Sequence, residues 1–315
     1  MKNYCFGIDV GGTFIKAAVV DLHGNIAAKD KIPTEHSLGS YKIVENIKVL
    51  CDRLLSVSGI EKEEIHGAGI GIPGMVDSVR GRVISACNLG LLNFDIGDKV
   101  RDTLGVPVAV CNDASAAALG EMRFGFGGMY KNIILLTLGT GVGGGVIIDG
   151  KLFEGRMGAG AELGHTVIRA DGEPCTCGRR GCLETYASAS AIIRDTRRAM
   201  QENKDSRLWE LGSLDKVDGK SAFDFYETDI TARAVVDRYI ENLGVGITNM
   251  ANIFRPEAVI IGGGMSNQGD ELIIPLQKYL DKNVFAGDLG PSIKVLRAKL
   301  GNDAGCLGAA GLFME

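Results

Sequence analysis

No apolar run in the 315 residues reaches the roughly 18 that a membrane span needs, and the opening Met1 to Phe6 is too short and too polar for a signal peptide. Positive charge is not in excess either. Lys and Arg number 34 against 39 Asp and Glu, and the net charge of -5 provides no basic field for nucleic acid or an anionic membrane. A soluble, cytoplasmic protein with no nucleic-acid or membrane partner is expected. The length exceeds one small core, since domains usually run to about 100 to 200 residues, so two lobes are expected.

Glycine is the residue present in excess: 45 of 315, about twice the usual share of roughly 7%. Such residues gather where a backbone turns sharply or approaches a ligand. Tyr4 to Val10 and Phe14 to Asp21 read as two strands with Gly11, Gly12 and Thr13 as the turn between them. The pattern recurs. Asn132 to Leu138 and Gly145 to Asp149 are again apolar strands, with Gly139 to Gly144 between them, so two related halves are expected. Ile65 to Ile72 and Val106 to Val110 read as further strands, the first running into Pro73 and Gly74. An alanine-rich helix spans Ala114 to Met122, with Asp113 at its N-cap position. Thr231 to Ile253 has helical apolar spacing, and Ala258 to Ile261 is a buried strand that delivers Gly262, Gly263 and Gly264 at its C-terminal end. The polar stretch Gln201 to Asp229 reads as a surface excursion with short helices.

Two nucleotide motifs are only partly matched. Gly139, Gly141 and Gly144 fit G-x-G-x-x-G, yet a strand follows where the dinucleotide fingerprint needs a helix. Gly145 with Gly150 and Lys151 has P-loop spacing, but Leu152 stands where a magnesium-binding Ser or Thr belongs. The paired hairpin turns are the better phosphate candidates. Asp9 offers a carboxylate for magnesium, Gly11 and Gly12 offer amides for phosphate oxygens, Thr13 offers a hydroxyl, and Gly139, Thr140 and Gly141 repeat the arrangement. Lys16, on the second strand of the first hairpin, is either a phosphate contact or an exposed strand lysine. Phosphoryl transfer also needs a carboxylate to take the proton of the attacking hydroxyl, and Asp113 is the candidate, whether or not it also caps its helix.

Of eight cysteines, Cys5, Cys51, Cys87, Cys111 and Cys306 stand singly and read as buried free thiols. Cys175, Cys177 and Cys182 with His165 form a full tetrahedral donor set with no open position, which points to structural zinc. Glu162 and Glu184 lie next to these ligands in sequence and are placed to accept hydrogen bonds from adjacent sugar hydroxyls.

Asp9-Val10-Gly11-Gly12-Thr13 with Lys16, the second Gly-Thr-Gly turn and the late triple glycine resemble the sugar kinase, hsp70 and actin superfamily. That resemblance implies an α/β fold of two ribonuclease-H-like lobes around an ATP and sugar cleft, with Gly262 to Gly264 bordering the adenosine. The lobes would be residues 1–117, rejoined by a C-terminal helix at about 302–315, and 118–301, which carries the zinc loop. Glu162-Leu163-Gly164-His165, Cys175-Thr176-Cys177-Gly178 and Gly181-Cys182-Leu183-Glu184 resemble the signature of the ROK family of repressors, open reading frames and kinases. The order of motifs is most similar to the bacterial glucokinases of that family. The resemblance implies Asp113 as base, sugar contacts from Gly74, Asn88, Asn112, Asp113, Glu162, His165 and Glu184, zinc on His165, Cys175, Cys177 and Cys182, and a homodimer. The implied reaction is ATP- and magnesium-dependent phosphorylation of a hexose, glucose first. One departure stands out: Leu91 follows Asn88-Leu89-Gly90 where such glucokinases usually have Trp, which bears on the choice of sugar. The alternatives are a kinase for N-acetylmannosamine, N-acetylglucosamine, fructose or allose, or a non-catalytic sugar sensor. A repressor would need a helix-turn-helix before the first strand, which already begins at Tyr4.

Overall fold

The computed structural model describes residues 2–314. The chain opens with an antiparallel meander of β1 (Tyr4–Val10), β2 (Phe14–Asp21) and β3 (Ile26–Pro33), followed by helix α1 (Ser40–Ser58) and strand β4 (Ile65–Ile72). Next come the short strands β5 (Met75–Asp77), β6 (Arg82–Ala86) and β7 (Leu91–Phe94), helix α2 (Ile96–Leu104), strand β8 (Val108–Asn112) and helix α3 (Asp113–Gly120). Strands β4 and β8 run parallel to β1, giving the sheet order β3-β2-β1-β4-β8. In β1 and β2 the alternation of side chains decides the packing. Phe6, Ile8, Val10, Ile15, Ala17 and Val19 face the core that α1 covers, while Cys5, Ala18 and Val20 face the other side. Strand β8 starts two residues later than the apolar run suggests because Pro107 has no amide for the ladder; its carbonyl instead accepts from Ala68 N at 2.9 Å.

The second half repeats the pattern with β9 (Ile133–Leu138), β10 (Val142–Ile148), β11 (Lys151–Leu152), helices α4 (Glu184–Ala187), α5 (Ala189–Glu202), α6 (Ser221–Asp224) and α7 (Ile230–Phe254), strand β12 (Ala258–Gly262), helix α8 (Asp270–Asn283), strand β13 (Lys294–Arg297) and helix α9 (Ala304–Gly311). Its sheet order is β11-β10-β9-β12-β13, with β12 parallel to both β9 and β13. The α/β class and the paired ribonuclease-H-like sheets are both present. Two corrections arise locally. Val142 to Gly144, expected as part of a long glycine loop, already belong to β10, so the turn proper is Gly139-Thr140-Gly141. Residues 201–229 are more than a surface excursion: Met200, Leu208, Val217 and Ala232 form a small core with Trp209 packed against it.

Among the described residues, 2–131, 145–161 and 299–314 pack as one compact unit, and 132–144 and 162–298 as another. The first unit therefore runs through α3, beyond the 117/118 position. Helix α9 returns to it and lies against α3 and β1 so closely that a Cβ on Gly308 would collide with the Ala116 carbonyl. Past α3 the helix widens into a five-residue π turn, Glu121–Gly125, whose fully buried Glu121 accepts from Lys299 N at 2.9 Å and Leu300 N at 2.8 Å. The free thiols Cys5, Cys51, Cys111 and Cys306 are buried, and burial pushes Cys5 up to about 11 and Cys306 up to about 12. Cys87 is exposed, contrary to expectation, because it opens the turn Cys87–Leu89 at the end of β6. Among the described residues no helix is long and apolar enough to cross a membrane.

Candidate functional site

In the first unit the register of β1 on β2 pairs Asp9 with Lys16 and Val10 with Ile15, leaving Gly11, Gly12 and Thr13 as the turn. Gly11 N donates to Phe14 O at 2.9 Å, so that amide closes the hairpin and is not available to a phosphate. Gly12 and Thr13 are the exposed members of the turn. Thr34, the residue after β3, fixes the turn: its Oγ1 donates to Gly11 O at 2.6 Å and its N donates to Thr13 O at 2.9 Å. Lys16 Nζ lies 3.4 Å from Asp9 Oδ2, so this lysine is tied to the half-buried carboxylate beside the turn.

The end of β8 and the start of α3 carry the next pair. Asn112, not Asp113, caps the helix: Asn112 has the extended backbone of an N-cap, φ -64 and ψ 148, and its side chain accepts from Ala114 N at 2.9 Å and Ser115 N at 3.1 Å. Asp113 is the first helical residue, and its Oδ1 also lies 2.9 Å from Ala114 N. Asn112 Nδ2 donates to Gly74 O at 3.1 Å, bringing two of the expected sugar contacts together. Gly74 has φ 99 and no space for a side chain beside the Ser85 carbonyl, so glycine is required there. Asn88 is exposed, near the first turn, since a Cβ on Gly12 would stand 4.0 Å from Asn88 Nδ2. Leu91 is only 3% exposed and packs into the β1 to β8 core, so the departure at this position is a core substitution.

In the second unit the turn Gly139-Thr140-Gly141 closes on itself through Gly139 N to Gly141 O at 3.0 Å, which again takes one amide away from any ligand. The triple glycine lies beside it. Gly263, with φ 76, sits so close to the Leu138 backbone that a Cβ would overlap it, and Ser266 Oγ holds the Gly263 carbonyl at 2.8 Å.

His165, Cys175, Cys177 and Cys182 converge, with one ligand atom from each lying within 4.8 Å of all the others. A tetrahedral zinc with Zn–S of about 2.3 Å and Zn–N of about 2.05 Å places sulfurs about 3.8 Å apart and nitrogen about 3.6 Å from sulfur. Cys177 Sγ and Cys182 Sγ are 3.7 Å apart, and Cys175 Sγ is 3.6 Å from His165 Nδ1. The donor set therefore fits zinc. The chain achieves this with two left-handed glycines, Gly178 at φ 85 and Gly181 at φ 78, and with bridges from Val167 to Cys182 and Pro174 to Arg180. The Arg179 backbone amide and side chain pull the Cys177 thiol down to about 6, while burial pushes Cys182 up to about 12. A bound divalent cation would hold all three as thiolates.

Glu162 precedes the turn Leu163–His165 and is exposed; its carbonyl accepts from His165 N at 3.0 Å. Glu184, at the start of α4, is half-buried, with Thr176 Oγ1 at 3.3 Å and Cys175 Sγ at 3.9 Å from its Oε1. Thr176 is a contact that sequence spacing missed; its only signal is its place between two of the clustered cysteines. Glu154 was also missed, because nothing local marks it. In the first unit it accepts from Ser78 Oγ at 2.7 Å, and burial, with Asp77 nearby, raises its carboxyl above the usual range against the opposing pull of that hydroxyl.

The sequence profile described as the ROK family matches residues 5–315. A glucokinase of Halalkalibacterium halodurans is 40% identical over 314 residues, covering 98% of this chain and 94% of that protein. A glucokinase of Streptomyces coelicolor is 38% identical over 322 residues, covering 98% of this chain and 97% of the relative. Among solved structures, a ROK family glucokinase from Streptomyces griseus in complex with glucose and AMPPNP has a TM-score of 0.82 at 37% identity, with 98% of each chain covered. With the profile matched over nearly every residue and relatives of this similarity along the whole length, the chain belongs to the ROK family.

Proposed function

We propose that this protein transfers the γ-phosphoryl group of ATP to the 6-hydroxyl of glucose. The observation that carries the reading is the likeness, over 98% of each chain, to the Streptomyces griseus glucokinase solved with glucose and AMPPNP. Asp113 then takes the proton of the 6-hydroxyl as that oxygen attacks the γ-phosphorus in line; the bond from the γ-phosphorus to its bridging oxygen breaks and ADP leaves. Asn112 fixes the helix start that carries this base. Gly74, Asn88, Asn112, Asp113, Glu162, His165 and Glu184 hold sugar hydroxyls, the carboxylates by charge-assisted bonds. His165 turns Nδ1 to the cysteines, which leaves Nε2 for the sugar.

Gly11, Gly12, Thr13 and Lys16 in the first unit, and Gly139, Thr140 and Gly141 in the second, hold phosphates, with Gly262 to Gly264 beside the adenosine. The amides of Gly11 and Gly139 are used within their turns, so these two glycines contribute by shaping the turns while the neighbouring residues of each turn make the direct contacts. Asp9 would hold magnesium, which would supply charge neutralisation on the phosphate oxygens. His165, Cys175, Cys177 and Cys182 would hold structural zinc, which would stabilise the loop from Val167 to Cys182. The protein works as a homodimer in the cytoplasm, where its eight unpaired cysteines stay reduced. Phosphorus NMR of the product made from Mg-ATP and glucose tests the reaction. A phosphomonoester on carbon 6 is expected, and phosphate on another carbon, or ATP hydrolysis alone, refutes it.

A further inference from the structure

Glu184 does more in this fold than face a sugar. Its Oε2 accepts from Val142 N at 3.0 Å, the first amide of β10 after the Gly139-Thr140-Gly141 turn. A Cβ on Gly141 would collide with the same oxygen, so the turn passes directly over the carboxylate. Two further bonds from the start of α5 hold that turn: Ala189 N donates to Gly139 O at 2.8 Å and Ser190 Oγ to Thr140 O at 2.8 Å. The carboxylate itself is located by the metal cluster from two directions. Through the chain it follows Cys182 by two residues, with Thr185 N bonded to Cys182 O at 3.0 Å; through space its Oε1 faces Thr176 Oγ1 and Cys175 Sγ.

We propose that Glu184 is a positioning residue for the 139–141 turn, and that the state of the His165, Cys175, Cys177 and Cys182 cluster sets nucleotide affinity through it. The inference rests on the reading that this turn holds nucleotide phosphates. It adds a nucleotide-side role to a residue otherwise given to the sugar, and it makes metal content a determinant of ATP binding. Losing a charge-assisted bond to a buried amide corresponds to about a tenfold weaker nucleotide.

The test is amide hydrogen exchange of the ligand-free protein, read on the peptide containing Val142, with AMPPNP affinity measured by calorimetry without sugar. Glu184→Ala is expected to speed Val142 exchange and weaken AMPPNP about tenfold, with Glu184→Gln intermediate because its amide oxygen still accepts. Chelation of the cluster metal is expected to speed the same amide, and metal return to restore it. A folded Glu184→Ala protein with wild-type Val142 exchange and AMPPNP affinity, but weakened glucose binding, overturns the inference. So does metal removal that leaves Val142 exchange unchanged. If Glu184→Ala does not fold, Thr176→Val carries the test, since it removes only the hydroxyl facing Oε1; a measurable rise in Val142 exchange supports the inference and none overturns it. The underlying reading is judged separately. Saturating AMPPNP that adds no protection to residues 139–142 removes the phosphate role of the turn while leaving the exchange result standing.

Discussion

Asp113→Asn separates a helix cap from a catalytic base. The substitution keeps the size of the side chain and an oxygen that can accept from Ala114 N, and the cap itself belongs to Asn112, with bonds of 2.9 and 3.1 Å to Ala114 N and Ser115 N. What disappears is one negative charge in the first helical turn, worth about 0.5 kcal/mol or a melting shift of about 1 to 2 °C. What disappears from catalysis is the proposed proton acceptor, worth about 10² to 10⁴ in kcat, or roughly 3 to 5.5 kcal/mol of barrier. Asn112→Ala should have the larger effect on stability. It removes both cap bonds and the 3.1 Å tie to Gly74 O, and should cost about 1 to 2 kcal/mol of folding free energy. Thermal melts beside a coupled ADP-release assay on both variants give the comparison. An Asp113→Asn protein with kcat within tenfold of wild type would refute the base, and one that melts as low as Asn112→Ala would refute the division of labour.

Removal of zinc by a chelator should lower the melting temperature of the wild type by several degrees, whereas Cys177→Ser should already melt low and respond little; an unchanged wild-type melt counts against a structural metal. For Glu154, burial raises the folded-state carboxyl above its ordinary value, so its stabilising contribution is complete below that ordinary value and is lost as pH rises through the folded one. Glu154→Gln keeps an acceptor for Ser78 without the charge, so its melting advantage over wild type should be absent below the ordinary glutamate range and open as pH rises above it; a constant difference would contradict this. Gly308→Ala should force α9 away from the Ala116 carbonyl on α3 and cost about 1 to 3 kcal/mol, measured by urea unfolding, and a neutral result would show that this helix pair is less tightly packed than described.

The elements legible in the sequence are those whose chemistry is local. The first hairpin, the long helix α7 and the convergence of His165 with the three clustered cysteines each announce themselves through alternation, helical spacing or cysteine spacing, and each forms where expected, while the second hairpin forms with a shorter turn. Contacts between distant segments were not legible. Nothing near Asp113 says that Asn112 will take the cap, because both residue types cap well and only the backbone angles decide. Val142 to Gly144 read as loop because glycine is poor in strands, yet β10 begins at Val142, whose amide is held by the distant Glu184. The β5, β6 and β7 sheet went unseen because its strands are three to five residues long. Leu91 looked like a change at the sugar, and only its burial shows it facing the core.

The most direct measurement is ADP release from Mg-ATP by the purified protein against glucose, mannose, fructose, N-acetylglucosamine, N-acetylmannosamine and allose. Glucose should give the highest kcat/KM by a clear margin. Preference for another of the six would contradict the sugar assignment while keeping the transfer chemistry, and no sugar-dependent ADP release from zinc-replete protein would contradict the kinase itself.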